Sequence, residues 1–163
     1  DLAGMRIRVA PIDIYVEANK LFGAVPVRAD INVTYELFKT GKIDGQENGL
    51  ELALPLKLYE VAKYWTAVDY APSLATWYST EKVWKSLSPN DHALFIKAAR
   101  AGGQVITDLS KELTRTGIER LKMEGVIVSQ PDEVAFRDAV KDLYKRYESW
   151  PDGLVARTKA LQN

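Results

Sequence analysis

Arg8 is the first residue of the chain whose type and position favour ligand chemistry. Apolar and basic residues alternate through residues 5–10, and this period of two predicts a β-strand with Arg8 on its polar face. A planar guanidinium donates two parallel hydrogen bonds to a carboxylate, so Arg8 is a candidate for binding an acid. An exposed arginine on an edge strand and an internal salt bridge are the alternatives.

A glycine-bounded run, DGQENG at residues 44–49, contains the second group of polar side chains. It begins with a turn signal and places two amides and two acids between a helix predicted at 33–40 and one predicted from about Gly49 or Leu50 to Leu58. Amides both donate and accept hydrogen bonds, which suits a polar ligand. The alternative is a turn whose side chains satisfy the hydrogen-bonding groups of their own backbone.

Catalytic chemistry has weaker candidates. Glu47 and Glu51 are four residues apart, a spacing that would put both on one helix face as general acid and base, with Arg8 orienting an anionic substrate. Neither a histidine nor a third acid accompanies them, so no metal site and no catalytic residue is predicted. The single histidine, His92, stands early in a capped helix and is predicted to be a solvated surface residue.

The composition excludes several other functions. The chain of 163 residues has 22 Lys+Arg, 22 Asp+Glu, one His and no Cys. Balanced charge leaves no basic excess to neutralise phosphates, so no nucleic acid is predicted as a partner. The absence of Cys excludes disulfides and Cys-ligated zinc. The sequence has neither a phosphate-binding loop nor a dinucleotide fingerprint, so no cofactor is predicted.

Strand and helix signals alternate along the chain, and these elements must position the polar residues. Strands are predicted at residues 5–10, 24–27 and 126–128. Helices are predicted from Asp13 to Gly23, at 33–40, 81–87 and 88–125, and from Pro131 to Tyr147. Helical spacing also connects Leu58, Val61, Ala62 and Trp65. This alternation is typical of an α/β fold with a mainly parallel sheet flanked by helices.

Three stretches of the chain, in this order, resemble the substrate-binding proteins of TRAP (tripartite ATP-independent periplasmic) transporters, the DctP family. They are GMRIRV at 4–9, YELFKTGKIDGQEN at 35–48 and KLYEVAKY at 57–64. The run WKSLSP at 84–89, and Gly125-Val126 followed by Pro131-Asp132, also fit. The resemblance extends to about Tyr147 and includes the family's GQEN turn.

The resemblance implies a function in transport. Members of the family capture small organic acids in the periplasm by closing a cleft, and they deliver the ligand to the membrane permease subunits. The matching positions imply that Arg8 binds the ligand carboxylate, that Asn48 contacts the ligand and that Ile31 lies over it. Tyr70 and Ser73 are further candidates. Such a protein needs no catalytic residue, so the chain is not expected to be an enzyme.

The resemblance also implies a division into two lobes, with a periplasmic-binding-protein-like fold. Residues 1–73 and 114–148 are expected to form the ligand-binding lobe II. Residues 74–113 are expected to be a strand-helix segment of lobe I and the hinge, and residues 149–163 a C-terminal tail. The rest of lobe I and a signal peptide are expected to lie outside this chain. Apolar side chains of 74–113 should then be exposed and open to self-association.

Two departures from the family pattern concern ligand identity. Gly49 replaces the usual Pro after GQEN, and Ile31 is aliphatic where sialic-acid binders have Phe. Two other functions remain open at this stage. One is a sensory or interaction domain that uses the same fold, and the other is the enzyme with Glu47 or Glu51 as acid or base.

Overall fold

The computed structural model describes residues 2–68, 76–147, 151 and 153–160, and within them the strands form two parallel sheets. Strands β1 (Arg6–Val9), β2 (Val25–Arg28) and β3 (Gly45–Gln46) form one sheet in the order β2-β1-β3. Strands β4 (Tyr64–Thr66) and β5 (Ile127–Ser129) form the other. Helices connect and flank the strands, so the predicted α/β fold with parallel sheets is confirmed.

Helices make up most of the remaining described residues. They are α1 (Asp13–Leu21), α2 (Thr34–Lys39), α3 (Leu50–Ala53), α4 (Glu81–Ser86), α5 (Pro89–Met123), α6 (Glu133–Ala139) and α7 (Leu154–Ala160), with 3-10 turns at Ile31–Val33, Leu58–Glu60 and Leu143–Arg146. The start of α5 is well fixed, because the Ser88 hydroxyl accepts from the Asp91 N–H while the Asp91 carboxylate accepts from the Ser88 N–H. None of the described helices is both long and apolar enough to cross a membrane.

Two clusters of buried apolar side chains hold the fold together. In the first cluster, Ile7 and Val9 of β1 pack with Val16 of α1 and with Ala24. The second consists of Leu54, Leu121 and Val126, so it joins the end of α3 to the end of α5 and the start of β5. Strand β1 is therefore the buried central strand of its sheet.

The helical spacing from Leu58 to Trp65 predicts the wrong structure. A short 3-10 turn at Leu58–Glu60 is followed by strand β4, in which Trp65 pairs in register with Val128. Pairing with a strand some sixty residues away outweighs the helical spacing of the apolar residues. The paired strand also lets Trp65 pack against the second apolar cluster. Lys57, with a φ of 52°, directly precedes this 3-10 turn.

The helix predicted to continue to Tyr147 is also shorter than expected. Helix α6 ends at Ala139, and a 3-10 turn follows at Leu143–Arg146. Contacts with α1 and its C-cap explain the break: Phe136 packs edge to face on Phe22 with centroids 4.9 Å apart, and Arg146 donates to Glu17 at 2.7 Å. Beyond it, the segment expected to be a tail contains helix α7.

The segment before α4, helix α4 itself and the first two-thirds of α5 expose many apolar side chains. The exposed set includes Trp77, Tyr78, Val83, Leu94, Phe95, Val105 and Leu109. Helix α5 is continuous through Gly102 and Gly103, and Cζ2 of Trp77 would lie 3.3 Å from a Cβ atom on Gly102. The assignment of this segment to a second lobe stays a prediction.

Candidate functional site

The carboxyl edge of the three-stranded sheet brings the main predicted residues to one place. Arg8 of β1 pairs in register with Val27 of β2 and with Gln46 of β3. The chain beyond β2 enters the 3-10 turn at Ile31, and the chain beyond β3 continues to Asn48. Open parallel sheets bind ligands outside the carboxyl ends of their strands, so this edge is the candidate site.

Arg8 is buried on the central strand, and only 3% of its surface is exposed. The alternative of an exposed edge-strand arginine is therefore wrong. Its Nε and Nη2 donate to the carbonyl oxygen of Ala29 at 2.9 and 2.7 Å. Burial lowers the pKa of the guanidinium, whereas the carboxylates of Glu47 and Asp30 raise it. The Ala29 carbonyl oxygen accepts hydrogen bonds from two of the five N–H groups of Arg8, and these bonds fix the direction of the guanidinium.

Residues 44–49 adopt a different local structure from the predicted turn. Gly45 and Gln46 form strand β3, because Asp44 N–H donates to the carbonyl of Arg6 and Ile7 pairs with Gly45. A Cβ atom on Gly45 would lie 2.6 Å from Cδ1 of Ile7, so any larger residue here requires the Ile7 side chain to move. After the strand, Asn48 Nδ2 donates to Gln46 Oε1 at 2.7 Å.

Asp44, one of the polar residues of the DGQENG run, pairs with Arg6 of the neighbouring strand. Its carboxylate accepts from the backbone N–H, Nε and Nη2 of Arg6, at 2.8, 2.9 and 2.5 Å. These bonds lower the pKa of Asp44 from 3.8 to about 2. The Arg6–Asp44 pair joins the start of β1 to the start of β3.

Asn19 is a buried polar residue beside the candidate site, and the sequence analysis does not single it out. It lies on the inner side of α1 with 3% of its surface exposed, and its Nδ2 donates to Glu47 Oε2 at 2.7 Å and to the Tyr15 carbonyl at 3.0 Å. In the sequence, Asn19 stands three residues after Val16, so it falls on the apolar face of the predicted helix. A polar residue at such a position could have been recognised as unusual.

The two acids proposed as a catalytic pair do not share a helix face. Helix α3 begins at Leu50, so Glu47 precedes it and bonds to Asn19 instead. The Glu51 carboxylate folds back over Gly49, into the space that a Cβ atom there would occupy. Glycine in place of the family's proline therefore makes room for Glu51.

The remaining candidates lie in different places. Ile31 is half-buried in the 3-10 turn that follows β2, close along the chain to Ala29. Tyr70 and Ser73 lie outside the described residues. His92 is not simply solvated as predicted, because it stacks on Trp84 with centroids 4.2 Å apart and its Nε2 lies 2.6 Å from the Trp84 carbonyl oxygen. Within the described part of the chain, no cluster of three His, Cys, Asp or Glu residues is placed to hold a metal.

Comparison with known protein families gives one match over most of the chain. A family described as bacterial extracellular solute-binding protein, family 7, matches residues 1–149. The sialic acid-binding periplasmic protein SiaP of Vibrio cholerae is 30% identical over 149 residues, which are 91% of this chain and 46% of that protein. The 2,3-diketo-L-gulonate-binding periplasmic protein YiaO of Escherichia coli is 28% identical over 149 residues, 88% of this chain and 45% of that protein.

Solved structures give the same result. A TRAP periplasmic solute-binding protein of Ochrobacterium anthropi with bound L-fuconate has a TM-score of 0.90 at 28% identity, covering 100% of this chain and 54% of that one. One of Actinobacillus succinogenes with bound L-galactonate has a TM-score of 0.90 at 25% identity, covering 98% and 53%. The chain thus spans about half the length of the proteins it matches, and it corresponds to their C-terminal part.

Proposed function

Because the chain belongs to the bacterial extracellular solute-binding proteins of family 7, we propose that it contributes the carboxylate-binding lobe of a TRAP solute-binding protein. The observation that carries the proposal is the Arg8 guanidinium, buried at the carboxyl edge of the sheet and oriented by the Ala29 carbonyl. The whole protein would capture an organic acid outside the cytoplasm and deliver it to the permease subunits in the membrane.

Arg8 is the principal ligand-binding residue in this proposal. The two bonds to Ala29 leave three N–H donors, and a carboxylate can accept two of them in parallel. The low dielectric around a nearly buried guanidinium strengthens this attraction once the cleft closes and water leaves. Asn48 supplies an amide for a polar group of the ligand, and Ile31 supplies an apolar surface beside the carboxylate. Tyr70 and Ser73 complete the proposed set.

A polyhydroxylated monocarboxylate is the proposed class of ligand. Two of the structural neighbours bind L-fuconate and L-galactonate, and a third, from Xanthobacter autotrophicus, binds β-D-galacturonate. Each of these ligands combines one carboxylate with several hydroxyl groups. Around Arg8 the chain offers the amides of Gln46 and Asn48 and the carboxylates of Glu47 and Asp30, which suit hydroxyls as partners.

We also propose that residues 74–113 belong to the other lobe. The exposed side chains of Val83, Leu94, Phe95, Val105 and Leu109 support this, because they form a larger apolar surface than a monomer usually leaves uncovered. The half of the relatives' length that this chain does not span is the proposed cover. A second copy of the chain is the alternative occupant of this surface.

Calorimetric titration of the full-length protein tests the proposed function. The ligands are D-galacturonate, L-fuconate and L-galactonate, with neutral D-galactose as the matched control. We expect at least one acid to bind and the neutral sugar not to bind, because the Arg8 site selects a carboxylate. If none of the three acids binds, or if D-galactose binds as tightly as the acids, the proposal is contradicted.

A further inference from the structure

Glu51 carries an exposed carboxylate that folds back from α3 toward the candidate site. Its Cδ and Oε1 both lie 2.6 Å from the position that a Cβ atom on Gly49 would take. Gly49 directly follows Asn48, the amide proposed to contact the ligand. The proline that is usual in the family at position 49 would fill the space that the carboxylate occupies. The placement of Glu51 therefore depends on the glycine.

The packing of α3 leaves the Glu51 side chain available to a ligand. Leu54 belongs to the second apolar cluster and Leu50 packs against it, so apolar side chains occupy the inner face of the helix. In the first turn of α3, the N–H of Leu52 donates to the Gly49 carbonyl at 3.2 Å. Among the residues that the structure describes, none holds the Glu51 carboxylate by a hydrogen bond or an ion pair.

The distance between Gly49 and the level of Arg8 is comparable with the length of an extended six-carbon acid. Gln46 pairs in register with Arg8, and Gly49 stands three residues farther along the chain, at most about 11 Å away. A second carboxylate at the far end of such an acid would be repelled by Glu51, most strongly once the cleft closes and water leaves. A hydroxyl group in the same place would instead donate a hydrogen bond to the carboxylate.

We propose that Glu51, placed over Gly49, is a specificity-determining residue of the ligand site. With the ligand carboxylate on Arg8, the Glu51 carboxylate accepts a hydrogen bond from a hydroxyl group at the other end of the ligand and rejects a second carboxylate there. This inference rests on the proposed function and deepens it, because it assigns the preference for acids with one carboxylate to a residue outside the family's pattern.

Calorimetric titration of the full-length protein with L-galactonate and galactarate tests the proposal. The two acids share a six-carbon chain, and galactarate has a second carboxylate where L-galactonate has its terminal CH₂OH group. We expect the parent to bind L-galactonate at least about tenfold more tightly than galactarate, because of the repulsion between the two carboxylates. In Glu51→Gln, which removes the charge and keeps the shape, the preference should fall about tenfold through tighter binding of galactarate.

Gly49→Ala displaces the same carboxylate without removing its charge. The φ of −77° at position 49 suits alanine, and the new Cβ atom takes the space of the carboxyl group. We expect this variant to lower the preference in the same direction, and the Gly49→Ala/Glu51→Gln double variant to match Glu51→Gln. Glu133→Gln, a change in an exposed carboxylate of α6, is the control and should keep the preference of the parent.

The possible results separate this inference from the proposed function. If L-galactonate binds but the parent does not prefer it to galactarate, or if Glu51→Gln or Gly49→Ala keeps the parent's preference, the role of Glu51 is overturned while the proposed function stands. If neither of these acids binds the parent, and D-galacturonate and L-fuconate do not bind either, the proposed function fails and this inference fails with it.

Discussion

Arg6 and Asp44 are joined in both directions, by side chain and by backbone. The Asp44 carboxylate accepts from Arg6 Nη2 at 2.5 Å and from the Arg6 backbone N–H at 2.8 Å, while the Asp44 N–H donates to the Arg6 carbonyl at 2.8 Å. These bonds are consistent with the register in which Ile7 faces Gly45 and Arg8 faces Gln46, and they support it. The same register places Arg8 and Gln46 side by side at the carboxyl edge of the sheet.

The first prediction concerns the pH dependence of stability. The pKa of Asp44 falls from 3.8 to about 2 in the folded protein, so the charged carboxylate stabilises the fold above pH 3.8. This contribution is lost as the pH falls through about 2, where the folded protein also binds the proton. We expect Asp44→Asn to lower stability at pH 7 and to flatten the loss of stability in acid.

Urea unfolding at pH 7, 4 and 2.5 measures this effect. Asp138→Asn, a change in an exposed carboxylate of α6, is the control and should retain the acid dependence of the parent. An Asp44→Asn curve that runs parallel to the parent at every pH would show that Asp44 does not contribute to acid sensitivity.

The second prediction concerns the contact between Gly45 of β3 and the Ile7 side chain of β1. In Gly45→Ala the new Cβ would lie 2.6 Å from Cδ1 of Ile7, which is itself buried in the first apolar cluster. We expect this variant to lose about 1–3 kcal/mol of unfolding free energy through overpacking. Gly103→Ala is the matched control: it adds its Cβ into open space within a helix and should gain up to about 1 kcal/mol.

Thermal or urea unfolding of both glycine variants gives the comparison. Shortening the opposing side chain, in Gly45→Ala/Ile7→Val, should recover part of the loss. If Gly45→Ala is as stable as the parent, the Ile7 side chain moves aside without cost, against the prediction.

The third prediction tests the proposed second lobe. Leu109 is 65% exposed in this chain, and truncation of a side chain this exposed changes stability by less than about 0.5 kcal/mol. If the rest of the full-length protein covers it, Leu109→Ala should cost about 2–5 kcal/mol there. Met123→Ala is the control, because Met123 is 79% exposed on the proposed lobe II portion of α5.

Unfolding measurements on the full-length protein give the answer. If Leu109→Ala leaves the unfolding free energy almost unchanged, the remainder of the protein does not cover this surface. That result would contradict the assignment of residues 74–113 to the other lobe. Sedimentation of the full-length protein would then show whether a second copy covers the surface.

Features set by neighbouring residues could be predicted from the sequence. The alternation around Arg8 predicts β1, and the run from Ser88 to Asp91 predicts the start of α5. Features set by distant pairing could not be predicted. Strand β4 exists because Trp65 pairs with Val128, although its local spacing is helical.

The candidate site shows the same limit. Its arginine stands in a recognisable strand, and the GQEN run carries a recognisable amide. The hydrogen bond from Asn19 reaches Glu47, 28 residues away, and no local pattern connects an amide in a helix to that carboxylate. The Ala29 carbonyl that orients Arg8 is a backbone group, so its side chain gives no signal in the sequence.

The most direct test of the account is the affinity of Arg8→Ala and Arg8→Lys variants of the full-length protein for the acid that the parent binds best. Truncating one partner of a buried charge pair costs about 2–5 kcal/mol, so Arg8→Ala should weaken binding by at least about 30-fold. Arg8→Lys should bind better than Arg8→Ala but worse than the parent, because a lysine keeps the charge without the planar fork.

Arg115→Ala, which removes an exposed arginine paired with Glu112 on α5, serves as the control and should bind like the parent. Circular dichroism confirms that each variant is folded. The account predicts a large loss of affinity confined to the Arg8 variants. A folded Arg8→Ala protein that binds the acid as tightly as the parent would contradict it.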